Sequence, residues 1–323
     1  MSLDYNENQT TPMEFVLLGF INIKQEKNLL FILFLTMYFI CFLGNALIII
    51  VAVFSPSLHT PMYFFLGNLS FIDICYISVT VPKMLADVWA KSPSISFMEC
   101  AVQMYVLLTL AGTEGFLLAS MALDRYFAIC RPLVYTRLMN IWICLQLSAM
   151  SWTCGFLNAS LHTVLTFRLS FCRSNRISHF FCDIPPLLSI SCSDTSTNET
   201  ALFSAGVFVG FSPFLFTLVS YIFILRAIVS SQQKGQYHKA ISTCASHLTV
   251  VIMFFGSGIF TYVRPTSSYS LEKDQLAGVV YNILTPTLNP LIYSLRNKEV
   301  KQAMRKLLMR EHSLLERRVF HNN

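Results

Sequence analysis

The sequence predicts an all-α membrane protein, a bundle of seven transmembrane helices with a short cytoplasmic amphipathic helix after the seventh span. Three observations predict it. Hydrophobic residues make up 54% of the 323 and charged residues only 12%, where a soluble domain carries about a quarter charged. Apolar runs recur seven times, each long enough for the roughly 20 residues that cross the hydrocarbon core. The Lys and Arg residues are divided unevenly between alternate loops. No soluble domain is expected, because the tails are short and the longest loop runs to about 40 residues.

In chain order, residues 1–27 read as a polar extracellular tail. They hold the sequon Asn8-Gln9-Thr10, a glycosylation acceptor on that side. A second sequon, Asn198-Glu199-Thr200, lies closer to the membrane. The first 27 residues lack the apolar core of a cleavable signal peptide, so the first span is expected to direct insertion. The bundle occupies residues 28–295, with apolar runs at Asn28–Phe54, Pro61–Met84, Met98–Ile129, Ile141–His162, Ala201–Ser230, Ala240–Val263 and Gln275–Leu295. Residues 296–323 form the cytoplasmic end. Within it Val300, Ala303, Met304, Leu307 and Leu308 keep the spacing of one apolar helix face. Lys298, Lys301, Arg305, Lys306 and Arg310 supply a basic face, worth about 1 kcal/mol each near anionic lipid.

Orientation follows from charge. Seven spans put the ends on opposite sides. Fourteen of the 23 Lys and Arg then fall with the C-terminus and eight with the N-terminus, leaving Lys83 at a span end. The positive-inside rule places the C-terminus in the cytoplasm and the N-terminus outside. The net charge of +6 is therefore a topology signal, and no nucleic-acid partner is expected. No enzyme is expected either: the chain has no His-Glu-x-x-His, Gly-x-Ser-x-Gly or Cys-x-x-Cys. A transporter would keep acids in the membrane but would show related halves, and no internal repeat is visible.

Two ionisable groups lie deep in the spans: Asp73 midway along the second and Glu114 midway along the third. Each costs roughly 2.5–3.5 kcal/mol at the bilayer centre, so both must face the bundle interior. Two carboxylates in one low-dielectric space need a proton or a cation between them. At the inner end of the third span, Arg125 is a fixed cation with Asp124 as its neighbour. Pro290, in the seventh, removes a helix hydrogen bond and makes a hinge. Of the ten cysteines, Cys100, Cys172, Cys182 and Cys192 face the oxidising side. Four allow three pairings, and the residues alone do not choose among them.

Four segments carry a family likeness: Leu58–Asp73 (LHTPMYFFLGNLSFID), Met121–Tyr135 (MALDRYFAICRPLVY), Lys239–Leu248 (KAISTCASHL) and Pro286–Asn297 (PTLNPLIYSLRN). In that order and spacing, the chain resembles the olfactory receptors, a branch of the rhodopsin-like G-protein-coupled receptors. The alternative, a non-olfactory rhodopsin-like receptor for another small ligand, is disfavoured by Lys239–Leu248 and Pro61–Leu66. The match runs from Glu14 to about Arg305.

The resemblance implies several specific roles. It pairs Cys100 with Cys182, leaving Cys172 with Cys192 inside the second outer loop. It puts a sodium ion at Asp73 and Glu114, with Asn45, Asn289 and Tyr293 around it, and it implies no other cofactor. It assigns G-protein coupling and activation to Asp124, Arg125, Tyr126, Tyr221, Asn289, Pro290 and Tyr293. The partner implied is the stimulatory olfactory G protein, which raises cAMP. Many non-olfactory relatives latch this Arg to an acid at the base of the sixth helix. Here Lys234, His238 and Lys239 stand there, which predicts a weak resting lock.

The outward half of the bundle offers Leu107, Leu108, Ala111, Gly112, Leu202, Ala205, Gly206, Val209, Phe255, Gly258, Ile259, Tyr262, Val279 and Asn282. Such a pocket is small and apolar, with Tyr262 and Asn282 as polar handles. It suits small, volatile, largely uncharged odorants. Phe255 stands where the family usually has Tyr, so packing is expected there in place of a hydroxyl. The location implied is the plasma membrane of olfactory sensory neuron cilia, where membrane lipid is the remaining partner.

Overall fold

The computed structural model describes residues 13–19, 27–90, 92–172, 174–230, 234–262, 271–296, 300–303 and 305–306. Its secondary structure is overwhelmingly helical. Helix α1 spans Lys27–Phe54 and stops before Ser55-Pro56; α2 spans Pro61–Trp89, with Pro61 at its first turn. Proline fits there because its missing N–H would be unpaired in any case. Helix α3, Phe97–Cys130, opens on a capping box. The Glu99 N–H donates to Ser96 Oγ at 3.2 Å and the Ser96 N–H to Glu99 Oε2 at 3.0 Å. It ends before Arg131-Pro132, where α4 (Pro132–Leu138) begins.

Helix α5, Ile141–Phe167, is capped by Asn140, whose side-chain oxygen accepts from the N–H groups of Trp142 and Ile143. After the short α6 (Ile184–Ser189), α7 (Ser196–Ala205) and α8 (Ser212–Ser230) form one rod joined by a wide π-helical turn, Gly206–Phe211. Helix α9 spans Lys234–Tyr262. Helices α10 (Leu271–Val279) and α11 (Thr285–Arg296) flank a second wide turn, Val280–Leu284. There the Thr285 hydroxyl donates to the Val280 carbonyl at 2.9 Å.

The distribution of polarity is that of a membrane protein. On α1 the buried side chains are Phe34, Cys41, Asn45, Ile48 and Val51, one stripe of the helix. Leu29, Ile32, Phe39, Leu43, Ile50 and Phe54 stand exposed. Across the molecule the buried polar set includes Asn45, Asp73, Glu114, Asp124, His247 and Asn289. Large apolar side chains outside and polar ones inside is the arrangement a hydrocarbon surround stabilises. Among the described residues, four rods are long and apolar enough to cross a membrane: α1, α2, α3 and Ser196–Ser230. Helix α3 is the central one, packed against α2, α5, α8 and α9. Its approach to α5 is close: a Cβ on Gly155 would lie 2.3 Å from Thr113 Oγ1 and 2.5 Å from the Thr109 carbonyl.

One element departs from the all-α expectation. Strand β1 (Glu14–Leu17) pairs antiparallel with β2 (Ser94–Ser96) and parallel with β3 (Arg176–Ile177), making a small sheet ordered β2-β1-β3. Four residues are too short for a strand period to show, and the partners come from distant loops. Phe15 and Leu17 are buried in this region, so part of the expected tail is built into one end of the bundle, the end expected to face outward. The outer end also carries the disulfides Cys100–Cys182 and Cys172–Cys192, the pairing the resemblance implies. Asn8 lies outside the described residues. Asn198 is buried, which argues against the second sequon. At the other end, residues 300–303 and 305–306 are helical, with Val300 and Ala303 buried and Lys301, Arg305 and Lys306 exposed. Lys298, Met304, Leu307, Leu308 and Arg310 lie outside the described residues.

Candidate functional site

The site is built in three tiers along the bundle. The outer tier is a cavity of about 190 Å³ lined by α3, α5, the α7–α8 rod and α9, with Ile184 of α6 and Tyr281 contributing to its wall. Ten of the expected pocket residues meet there: Leu108, Ala111, Gly112, Leu202, Ala205, Gly206, Val209, Phe255, Gly258 and Ile259. Leu107 packs in the core instead. Val279 and Asn282 are outside the wall, and the Asn282 amide donates to the Gly278 carbonyl at 3.2 Å. The side chain of Tyr262 lies outside the described residues.

The wall also includes Asn158, His162, Gly210, Phe211, Phe214 and Phe254, which periodicity did not single out. Gly210 and Phe211 belong to the wide turn, which moves the helix face in a way a regular count misses. The inner end of the cavity is aromatic. Phe255 packs against Phe214 at 5.3 Å and edge-on to Phe254 at 5.0 Å, and Phe254 lies 6.5 Å from Tyr281. The Tyr281 hydroxyl is in turn hydrogen-bonded to that of Tyr76 at 3.0 Å.

The middle tier is polar and closed. Asn289 Nδ2 donates to both carboxylate oxygens of Asp73, at 3.0 and 3.1 Å. Asn45 Nδ2 donates to the carbonyls of Cys41 and Pro286. Glu114 acts electrostatically on Asp73. Glu114 Oε1, Asn45 Oδ1, Asn289 Oδ1 and Tyr293 Oη are buried without a hydrogen-bond partner. Buried polar atoms are normally paired. This set is all oxygen, one of its members is a carboxylate with the Asp73 carboxylate beside it, and such donors fit a hard cation. Pro290, inside α11, lies against α1: a Cβ on Gly44 would be 3.0 Å from its ring.

The inner tier joins α3, α4, α8 and α9. Asp124 is fully buried and serves two partners. Arg125 donates to its Oδ2 through Nε at 3.0 Å and Nη2 at 2.6 Å, and the Tyr135 hydroxyl donates to its Oδ1 at 2.8 Å. Burial, and then the Asp124 carboxylate, hold the Tyr135 phenol above its ordinary pKa, so it stays protonated. Tyr126 packs edge-on to Phe223 of α8. Tyr221 is hydrogen-bonded to His247 Nδ1 at 2.8 Å. Tyr135 and His247 stand outside the expected coupling set, although both lie within the segments that carry the family likeness.

A profile of the family "Olfactory receptor" matches residues 34–311. The chain is 50% identical to olfactory receptor 5AP2 of Mus musculus, over 94% of this chain and 96% of that one. It is 45% identical to olfactory receptor 12D1 of Homo sapiens, over 94% and 95%. It is 49% identical to olfactory receptor 5AR1 of Mus musculus, over 94% and 97%.

Proposed function

Because this chain belongs to the olfactory receptor family, a family of G-protein-coupled receptors and not of enzymes, we propose that it binds small volatile, mostly apolar odorants in the cavity between α3, α5, α8 and α9. On binding, it activates the stimulatory olfactory G protein and raises cAMP. The observation that carries this reading is the vertical arrangement: a small apolar cavity stands above the buried Asp124–Arg125 pair, with an aromatic stack and a polar tier between. The three long rods beyond the four apolar ones complete a seven-span bundle over residues 28–295. The N-terminal 27 residues lie outside, glycosylated at Asn8, and residues 296–323 lie in the cytoplasm against lipid. The cell surface is that of the sensory cilium.

Coupling then has a physical route. A ligand shifts a two-state equilibrium only by its differential affinity for the two states. It touches Phe255 and Gly258 of α9, so a state in which α9 has moved repacks the Phe214–Phe255–Phe254 stack. The same helix carries His247, whose bond to Tyr221 that movement stretches. Arg125, released from Asp124, is then free for the G protein. A cation held by Asp73 and Glu114, with the Asn45 and Asn289 oxygens, would supply positive charge that stabilises the resting tier. Reversing a 1:99 equilibrium takes about 5.5 kcal/mol of differential binding. A ligand of a few carbons has few atoms from which to draw it, so a weak resting lock suits small agonists.

The test is cAMP in cells co-expressing this chain and the stimulatory olfactory G protein, challenged with a diverse volatile panel. Odorant-dependent cAMP is expected, and it should vanish in Arg125→Ala at matched surface level. Equal basal cAMP in the two would rule out the weak lock.

A further inference from the structure

Buried polar atoms without partners occur in the middle and inner tiers and also near the outer ends of α2 and α5, at Asp87, Thr163 and Thr166. Among the described residues, one alone belongs to a side chain of the cavity wall: Nε2 of His162. His162 is 2% exposed, near the outer end of α5, and Asn158 precedes it by one helical turn on the same face. The other polar side chains at the wall are Asn158 and Tyr281, and the Tyr281 hydroxyl is occupied by Tyr76. The rest of the wall is aliphatic, aromatic or glycine, and none of its described residues is Lys, Arg, Asp or Glu.

We infer that His162 is the hydrogen-bonding anchor of this cavity, and that its ligands are uncharged molecules carrying one oxygen function, an alcohol, aldehyde or ketone, on a short hydrocarbon body. The inference rests on the odorant-binding reading above and names its ligand class. Three pieces of chemistry carry it. A neutral imidazole nitrogen either donates or accepts depending on its tautomer, so Nε2 meets a carbonyl oxygen or a hydroxyl hydrogen equally well. A buried group with no hydrogen-bond partner in the protein gains one from a polar ligand and none from an alkane, so an oxygenated ligand binds better than its alkane by more than its own desolvation removes. An ionised ligand would enter a wall with no fixed opposite charge, which burial penalises heavily. The volume of about 190 Å³ keeps the hydrocarbon part short.

The experiment compares matched volatiles, each alkane with the alcohol, aldehyde and ketone of the same skeleton. Binding is read from thermal stabilisation of the purified full-length receptor in lipid nanodiscs, with cAMP measured in parallel. Oxygenated members should stabilise the wild type and alkanes should not. His162→Phe should weaken the oxygenated members about tenfold or more and bring them level with the alkanes. His162→Gln, which keeps a hydrogen-bonding group, should preserve the preference. Should His162→Phe fail to reach the membrane, His162→Met takes its place.

Alkanes and oxygenated members binding alike, stabilisation by no oxygenated member, or a His162→Phe or His162→Met variant that keeps the preference would each overturn the inference. A merely structural histidine would weaken both classes together. Class-selective binding without cAMP would leave His162 standing and remove the stimulatory coupling. A cAMP response blind to class would do the reverse.

Discussion

The outer and middle tiers face the same problem, a polar group inside a membrane bundle, and solve it in opposite ways. Around the cavity most of the wall is aliphatic and aromatic, and among the described residues one buried side-chain nitrogen of the wall, that of His162, is unpaired. Directly beneath it, beginning two residues beyond the lining Gly112 on α3, Glu114, Asn45, Asn289 and Tyr293 each leave an oxygen unpaired around Asp73. The first region can wait for a ligand at little cost. The second is held in one arrangement by few bonds, and its unpaired oxygens make alternative arrangements close in energy. In the function proposed, recognition is therefore placed where the structure is settled, and switching where it is not.

The sharpest way to break the settled region is Gly155→Ala. The new Cβ would meet the Thr109 carbonyl and Thr113 Oγ1 at distances real side chains do not reach, forcing α3 and α5 apart. Overpacking of this kind costs roughly 1–3 kcal/mol. The expected result is a large loss of surface receptor, measured by labelling of intact cells.

Next in size is Asp73→Asn in the unsettled region. It replaces the acceptor of both Asn289 bonds with an amide and removes one of two carboxylates. Basal cAMP should lose its dependence on external sodium, which a titration against a choline control would read. Unchanged sodium dependence would move the cation elsewhere.

The smallest effect expected is from Tyr135→Phe. It deletes one of the two partners of buried Asp124 and leaves the Arg125 pair intact. Losing a hydrogen bond to a charged group is worth about 1.5–3 kcal/mol at most. Basal cAMP should therefore rise several-fold at matched surface level. A fall would mean that Tyr135 supports the active arrangement.

Much of this was legible in the residues. The apolar runs fixed the rods to within a few residues at most ends, because a helix in hydrocarbon has no alternative way to pair its backbone. Asp73 and Glu114 announced the polar tier because charge in a span is expensive. The cavity was legible on α3, α7 and α9, which supply eight expected residues, and at Gly206 and Val209 of the wide turn. It was not legible on α5, since a histidine and an asparagine in an apolar run read equally well as packing. Nor was it legible at Gly210 and Phe211, where the wide turn changes the count. The sheet escaped notice because β1 is defined by its partners and not by its own pattern. Tyr135 escaped because its role exists only once α4 folds back under Asp124.

The wide turn at Gly206–Phe211 has a consequence for how such a wall changes over time. It stores one more residue than a regular helix of the same height, and it supplies Gly206, Val209, Gly210 and Phe211 to the cavity. Removing that residue would restore the ordinary winding and turn α7 by about 100° relative to α8. Leu202 and Ala205 would swing out of the wall and neighbours such as the exposed Phe203 would swing toward it. The lining of this cavity is thus set by chain length as well as by residue identity, and a single codon gained or lost could exchange several lining side chains at once.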